Sequence, residues 1–488
     1  MKPTFSTYAK TALFLSALGM GFFACEGDFL DTVPKTSIDE AEAFSTPGKI
    51  LAQVNNLYGQ MQNPNFYGGR YIVFNEQRAD EFGQNDGNAA TGSAVWNQNV
   101  ASTNEYINNV WSAAYTAINA SNILISRLQT TNVISDSLAK RYMAEAKFVR
   151  ALCYLSLVQT YSKPFNFDKN GLGLPLRLTP ITGIGHNDLA RSTIEEVYNQ
   201  IIKDLDEAEA ELPHAHASAL LNTSRAHKST AIALKTRVYL NMANYQKVVE
   251  ESSKLVPPGP PYVYNNGGIT HQLESNFASV FSGSYTGAEA LFFIPFANSN
   301  TETPPSQFAL AFNYLTQPII FLATAGIVSH PALNDPADAR AALIGTNAAK
   351  QKVLRKFTTT TAPFKDYVPV IRYAEVLLNY AEAAAKLNDL NTSASLLKAV
   401  RNRSNPNFVF ADEDIQTADK LVGTILTERR IEFLGEGLRL QDLQRNLLTL
   451  PAKTGSIGTA PEVPISAKNY IWPIPSGELS TNRLCLPN

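Results

Sequence analysis

In the segment "IRYAEVLLNYAEAAAKL", residues 371–387, Ala374, Leu377, Leu378, Ala381, Ala384 and Ala385 recur at helical spacing, while Glu375, Asn379, Glu382 and Lys386 fall on the opposite face. The pattern predicts an amphipathic helix whose small-residue seam lets a neighbour approach closely. It breaks at "LNDLNTS", where Asn388 and Asp389 suit a turn and Thr392 or Ser393 suits the cap of a following helix, "SASLLKAVRNR". Leu240, Asn241 and Asn244 punctuate two earlier helical patterns in the same L-N-x-x-N form as Leu387, Asn388 and Asn391. Further helices are predicted over 106–128, 136–161 and 193–212, the last with Ser192 as cap and Glu195 completing a capping box.

Two helix hairpins with matching turns predict a tetratricopeptide-like repeat of roughly 34 residues. The texture changes over 257–369, which holds 12 of the chain's 27 prolines, including "VPPGPPYVYNNGG" and "ETPPSQ". Continuous helix is excluded there. Fifteen aromatics in the same interval argue against a disordered linker and for an irregular, loop-rich subdomain, with a short strand at 290–296. The fold class predicted is mainly α, a helical-repeat scaffold carrying a loop-rich ligand-binding part.

Composition narrows the function classes. Of 488 residues, 44% are hydrophobic and 10% aromatic, enough to build folded cores. With 41 basic against 43 acidic residues, and no lysine between Lys49 and Lys140, nothing favours a nucleic-acid partner. Lys2 and Lys10 flank a thirteen-residue apolar run, Thr11 to Phe23, too short for the roughly 20 residues of a spanning helix and suited to an export signal. "FFAC" then places Cys25 where a bacterial lipoprotein is cut and acylated, so residues 1–24 are read as a removed signal. Cys153 and Cys485 are read as unpaired, partly buried thiols.

"ERRIEFLGEGLRLQDLQR", residues 428–445, holds four arginines, four acids and two glycines. A dinucleotide fingerprint needs a third glycine where Leu440 stands and a strand before Gly435, so the stretch is read as a structural joint. Its expected ion pairs are local, Arg429 with Glu432 and Arg439 with Glu436 or Asp442. The trio "SLAK", "YNN" and "KTG" follows the order of serine β-lactamase motifs, but "LPAKTGSIGTAP" does not read as a strand and the trio is set aside. His214 and His216 lack a completing ligand, so neither metal nor cofactor is expected.

Seven segments in order resemble the SusD/RagB family of lipid-anchored nutrient-binding proteins: "CEGDFLDTVPK"; "WSAAYTAINASNIL", with a W-x3-Y-x2-I-x3-N pattern at Trp111, Tyr115, Ile118 and Asn122; "AEAKFVRALCYLSLVQTY"; "RYAEVLLNYAEA"; "VRNRS"; the 428–445 stretch; and "YIWPIPSGELSTN". Departures include "YSKPFNFDKNGLGLP" in place of Y-G-D-V-P and Asn446 in place of a tryptophan. The resemblance implies parts at 25–256, 257–369 and 370–488, the middle one inserted. It also implies no catalysis, a place on the cell-surface side of an outer membrane anchored through Cys25, and delivery of an oligosaccharide to a SusC-like TonB-dependent transporter. A peptide ligand, as in a RagB-like protein, and an assembly lipoprotein without small ligand are the alternatives.

Ligand contacts are expected from aromatic rings with amide and acid partners. Residues 63–99 supply Tyr67, Tyr71 and Trp96 together with Asn85, Asp86, Asn88 and Asn97, Trp96 being the first choice. Tyr264, Tyr285 and Tyr314 of the proline-rich part form the second set.

Overall fold

The computed structural model describes residues 40–183, 185, 187–297 and 303–488, so the signal segment and Cys25 lie outside the described residues. Contacts divide the chain into units at 1–50 and 51–488. In the first, the described residues include a helical turn Glu40–Ala43 and an exposed Lys49–Glu42 ion pair. The second carries the features below.

Helix α1 (Pro47–Met61) ends in the second unit, and α2 (Arg70–Arg78) follows with all nine residues buried. Long helices α3 (Glu105–Leu128) and α4 (Asp136–Tyr161) match their predicted spans within one residue. After them α5 (Ile194–Glu211), α6 (Lys228–Asn241), α7 (Tyr245–Ser252), α8 (Tyr373–Lys386), α9 (Leu390–Ser404), α10 (Ala418–Glu432) and α11 (Arg439–Arg445) extend the stack, each helix from α4 to α9 packing on the one before it. This is the mainly α, repeat-like scaffold the periodicity predicts.

The caps differ from expectation by one to three residues. The box on α5 is Thr193 with Glu196, the Thr193 hydroxyl accepting from Glu196 N at 3.2 Å and the Glu196 carboxylate from Thr193 N at 2.7 Å. Helix α9 is capped by Asp389, not by Thr392 or Ser393. The matching positions in the two hairpins are therefore Ala243–Asn244 and Asn388–Asp389: in each pair the first residue is left-handed (φ 52° and 64°) and the second accepts from the backbone three residues on.

Buried ion pairs clamp helices of the stack together. Arg150 grips Asp204 between α4 and α5, Lys235 on α6 meets Glu251 on α7 at 3.0 Å, and Arg237 meets Glu375 on α8 at 2.6 Å. The joint at 428–445 is an ionic hub whose partners are distant in sequence. Arg340, Lys356, Arg372, Arg401 and Arg403 face Glu289, Asp338, Glu428, Glu432 and Glu436, five cations against five carboxylates, with side chains at most 4% exposed. Local pairing is thus corrected: Glu432 serves Arg340, Arg372 and Arg403, while Arg429 pairs with Asp442 at 2.8 Å and Asn379 at 2.7 Å. Glu436 takes Lys356 and Arg372, and Arg439 takes Asp80. Three arginine charges hold the Glu432 carboxyl far below its usual range against the opposing effect of burial. Gly435 and Gly437, at φ 81° and 79°, turn the chain from α10 to α11; a Cβ on Gly435 would lie 2.3 Å from Leu354.

The proline-rich part supplies strands rather than helix. β1 (Phe82–Gln84), β5 (Ile320–Leu322), β7 (Lys352–Leu354) and β6 (Ile344–Thr346) form an antiparallel sheet in that order, with Phe82 opposite Leu322 and Ile344 opposite Leu354. β2 (Tyr264–Asn266) pairs with β3 (Ile269–His271), β4 (Ala290–Ile294) with β8 (Val368–Arg372), and β9 (Lys453–Gly455) with β10 (Gly458–Ala460). Cys153 and Cys485 are free and buried.

Two stability predictions follow from this packing. Glu432→Gln leaves three buried arginines short of a counter-charge and is expected to cost about 3–5 kcal/mol in urea unfolding. His271, stacked 5.5 Å from His227 and buried, has its pKa pushed down to about 4 by burial. An unfolded histidine protonates near 6.5, so the stability held above that pH drains as pH falls, by about 2 kcal/mol at pH 5. The wild-type loss between pH 7.5 and 5 should exceed that of His271→Phe by this amount; parallel curves would refute it.

Candidate functional site

At the open end of the four-stranded sheet, turns from separate parts of the chain enclose a groove of about 840 Å³. Its base grows from the β1 ladder: Asn85 N–H donates to Ile319 O at 2.9 Å, continuing the β1–β5 pairing by one residue. The Asn85 side chain then forms a reciprocal amide pair with Gln351, Nδ2 to Oε1 at 3.2 Å and Nε2 to Oδ1 at 2.6 Å. Asn85 Nδ2 also donates to Pro318 O, and Ser456 Oγ donates to Asn85 Oδ1 at 2.8 Å. The β6–β7 turn is locked likewise, Asn347 accepting from Gln351 N at 2.9 Å and donating to Gln351 Oε1 at 3.0 Å.

Ser456 reaches the groove because β9 lies almost on the β1 backbone. A Cβ on Gly455 would sit 2.4 Å from Gln84 N, so only glycine fits there. A second wall is the 86–91 loop. Asp86 takes both the backbone N–H of Asn88 (2.9 Å) and its Nδ2 (2.7 Å), and Asn88 Oδ1 caps the turn Ala89–Thr91 by accepting from Thr91 N. The third wall is a π-helical turn, Phe312–Thr316, that buries Asn313 and Tyr314 and leaves the Phe312 ring half-buried at the groove. Gln307 and Gln317 complete the rim.

Among the described residues the wall is therefore rich in carboxamides, with hydroxyls, one carboxylate and one ring, and no lysine or arginine borders it. Such a surface offers many donors and acceptors of fixed direction and no concentrated positive charge.

Of the expected contacts, Asp86 and Asn88 border the groove. Trp96 does not, and the first choice is corrected: it is fully buried, its Nε1 donating to Phe82 O at 2.9 Å. Tyr67 and Tyr71 are core rings packed on Phe66, with Tyr67 bonded to Ser156. Tyr314 is enclosed against Phe82, its hydroxyl donating to Gly435 O. Asn97 ends the short helix carrying Trp96, Tyr264 stacks on His271 and Tyr285 on Tyr367, and none of the three borders the groove. Asn85, expected beside Asp86 in the same loop, borders the groove as well, whereas Asn347, Gln351, Phe312 and Ser456 have no sequence signal that marks them as contacts.

The set-aside β-lactamase trio also needs one correction. Lys453–Gly455 is a strand, β9, contrary to expectation. Its lysine is nevertheless structural: the buried ammonium donates to Gln77 O and Ala79 O at the end of α2, and burial drives its pKa well down. Among the described residues no group of histidine, cysteine and carboxylate side chains is placed to hold a metal, and no helix is long and apolar enough to cross a membrane.

Comparison with known proteins gives this arrangement its class. A family model described as starch-binding and associating with the outer membrane matches residues 28–240, and the SusD family model matches 350–457. A crystallised SusD superfamily protein of Bacteroides fragilis shares 30% identity and a TM-score of 0.81 over 91% of this chain and 99% of its own. The chain belongs to the SusD/RagB family of non-catalytic binding proteins associated with the outer membrane. SusD-like protein P25 of Formosa agariphila is 23% identical over 53% of this chain, a match that spans 46% of the relative's length. A laminarin-binding SusD-like protein has the same fold, at 20% identity and a TM-score of 0.71 over 91% of this chain and 99% of its own.

Because Trp96 fills the core, Trp96→Ala is expected to cost about 3–5 kcal/mol in chemical unfolding. Wild-type stability in that variant would place the ring outside the core after all.

Proposed function

We propose that the amide-lined groove takes an oligosaccharide and that the protein, anchored through acylated Cys25, presents it to a SusC-like TonB-dependent transporter. The groove's directional polar wall carries this reading. Hydroxyls of a sugar ring are donors and acceptors at once, and Asn85, Asn88, Gln317, Asn347 and Gln351 offer both roles around one space. Phe312 supplies an apolar face for the C–H side of a ring. A laminarin-binding protein of the same fold is consistent with a glycan ligand.

Asn85 and Gln351 lock each other, and the 86–91 loop is tied to itself, so little order remains to be gained on binding. Bilayer anchoring rests on the sequence at Cys25, since several acyl chains hold a protein where one does not.

Calorimetric titration against plant, host and microbial glycans should find a ligand, and Asn347→Ala or Gln317→Ala should weaken it about 3- to 10-fold, one hydrogen bond's worth. Silence across the glycans with peptides bound instead would defeat the sugar reading.

A further inference from the structure

The residues of the W-x3-Y-x2-I-x3-N pattern have no part in the groove. Trp111, Tyr115, Ile118 and Asn122 all border a different cavity, of about 410 Å³, which shares no lining residue with it. Their spacing of four, three and four places them on one face of α3. Opposite runs the segment 175–181, whose alternate carbonyls turn toward the helix. Pro175 O accepts from Tyr115 Oη (2.9 Å), Arg177 O from Tyr154 Oη (2.8 Å) and Asn122 Nδ2 (2.9 Å), Thr179 O from Asn122 Nδ2 (3.3 Å), and Ile181 O from Asn119 Nδ2 (2.9 Å). Ile181 N–H returns a bond to Asn119 Oδ1 at 2.8 Å.

The third wall comes from the C-terminal helical turn Ser476–Thr481. Glu478 receives Arg177 Nη2 at 3.2 Å and Asn482 Nδ2 at 2.7 Å on Oε1, and Trp111 Nε1 at 3.2 Å on Oε2. Two of the seven family-like segments therefore meet at one walled, pre-formed space, and its Arg177–Glu478 ion pair is internally neutralised.

We infer that this cavity is a second binding site, for a neutral polyol the size of one or two sugar rings. A charged ligand would have to compete for Arg177 or Glu478, each already committed to the other. A wholly apolar one would strip water from the exposed Ser112 and Thr116 hydroxyls without replacing it. A polyhydroxylated ring satisfies those groups and sets its C–H face against the half-buried Tyr115 ring, which is backed by buried Trp111 at a centroid distance of 4.8 Å. The inference goes beyond the groove and does not depend on it.

The test is saturation-transfer NMR with calorimetry on the purified chain, with glucose, galactose, maltose and laminaribiose as probes. Thr116→Trp, at an exposed position on the cavity wall, should obstruct it without unfolding the protein; Ser112→Trp, also exposed, is the second variant should the first fail to fold. Asn88→Trp obstructs the groove instead. At least one sugar is expected to bind Asn88→Trp, with that binding falling at least tenfold when Thr116→Trp is added. No probe bound by the wild type at millimolar concentration, or binding indifferent to Thr116→Trp, overturns the inference. Binding lost in Asn88→Trp alone overturns it as well and leaves the groove reading standing.

Discussion

The cluster centred on Arg372 and Glu432 is the constraint on which the architecture turns. Arg372 ends β8, Glu432 ends α10, Arg403 stands on α9, Arg340 and Lys356 belong to the proline-rich part, and Glu289 precedes β4. Charges taken out of water lose hydration that is recovered only if every partner arrives together. A cluster of equal and opposite charges therefore admits one arrangement of these elements and penalises partial ones. Phe277, Phe281 and Phe433 lie over its cations and close it from solvent. In this way an irregular segment rich in proline is held as firmly as the helices beside it.

That firmness matters for the groove. Its walls are turns, which by themselves would be mobile, yet each turn is the end of a strand in one short sheet or is tied by side-chain amides. Direction is thus built into the polar wall before any ligand arrives. The α3 cavity follows the same rule by another route, with helix side chains reading the backbone of an extended segment in place of a strand.

The scaffold was legible because long amphipathic helices repeat their pattern many times, so α3 and α4 were placed within a residue from periodicity alone. Caps were less so: Ser192 and Thr193 are chemically alike, and one residue of offset carries no penalty in the pattern. Ion partners in the 428–445 stretch were misread because sequence shows only neighbours, whereas Arg429 finds Asp442 beyond the turn and Arg439 finds Asp80 near the other end of the chain. Trp96 was misread for a related reason, since the carbonyl that satisfies its indole belongs to Phe82, across a fold the local sequence does not reveal. Asp86 and Asn88 were found because loop composition marks them. Gln351 and Ser456 were not, because only the sheet brings their turns to Asn85.

Helix α2 carries a last consequence. Its nine residues are enclosed, its closing carbonyls are answered by the ammonium of Lys453, its Glu76 by Gly437 N–H at 2.6 Å, and its Arg78 by Tyr470 O at 2.9 Å. An early segment thus draws its polar partners from the far end of the polypeptide. Synthesis delivers those partners last, so the polar groups of α2 that depend on them are satisfied only once the C-terminal part has been made.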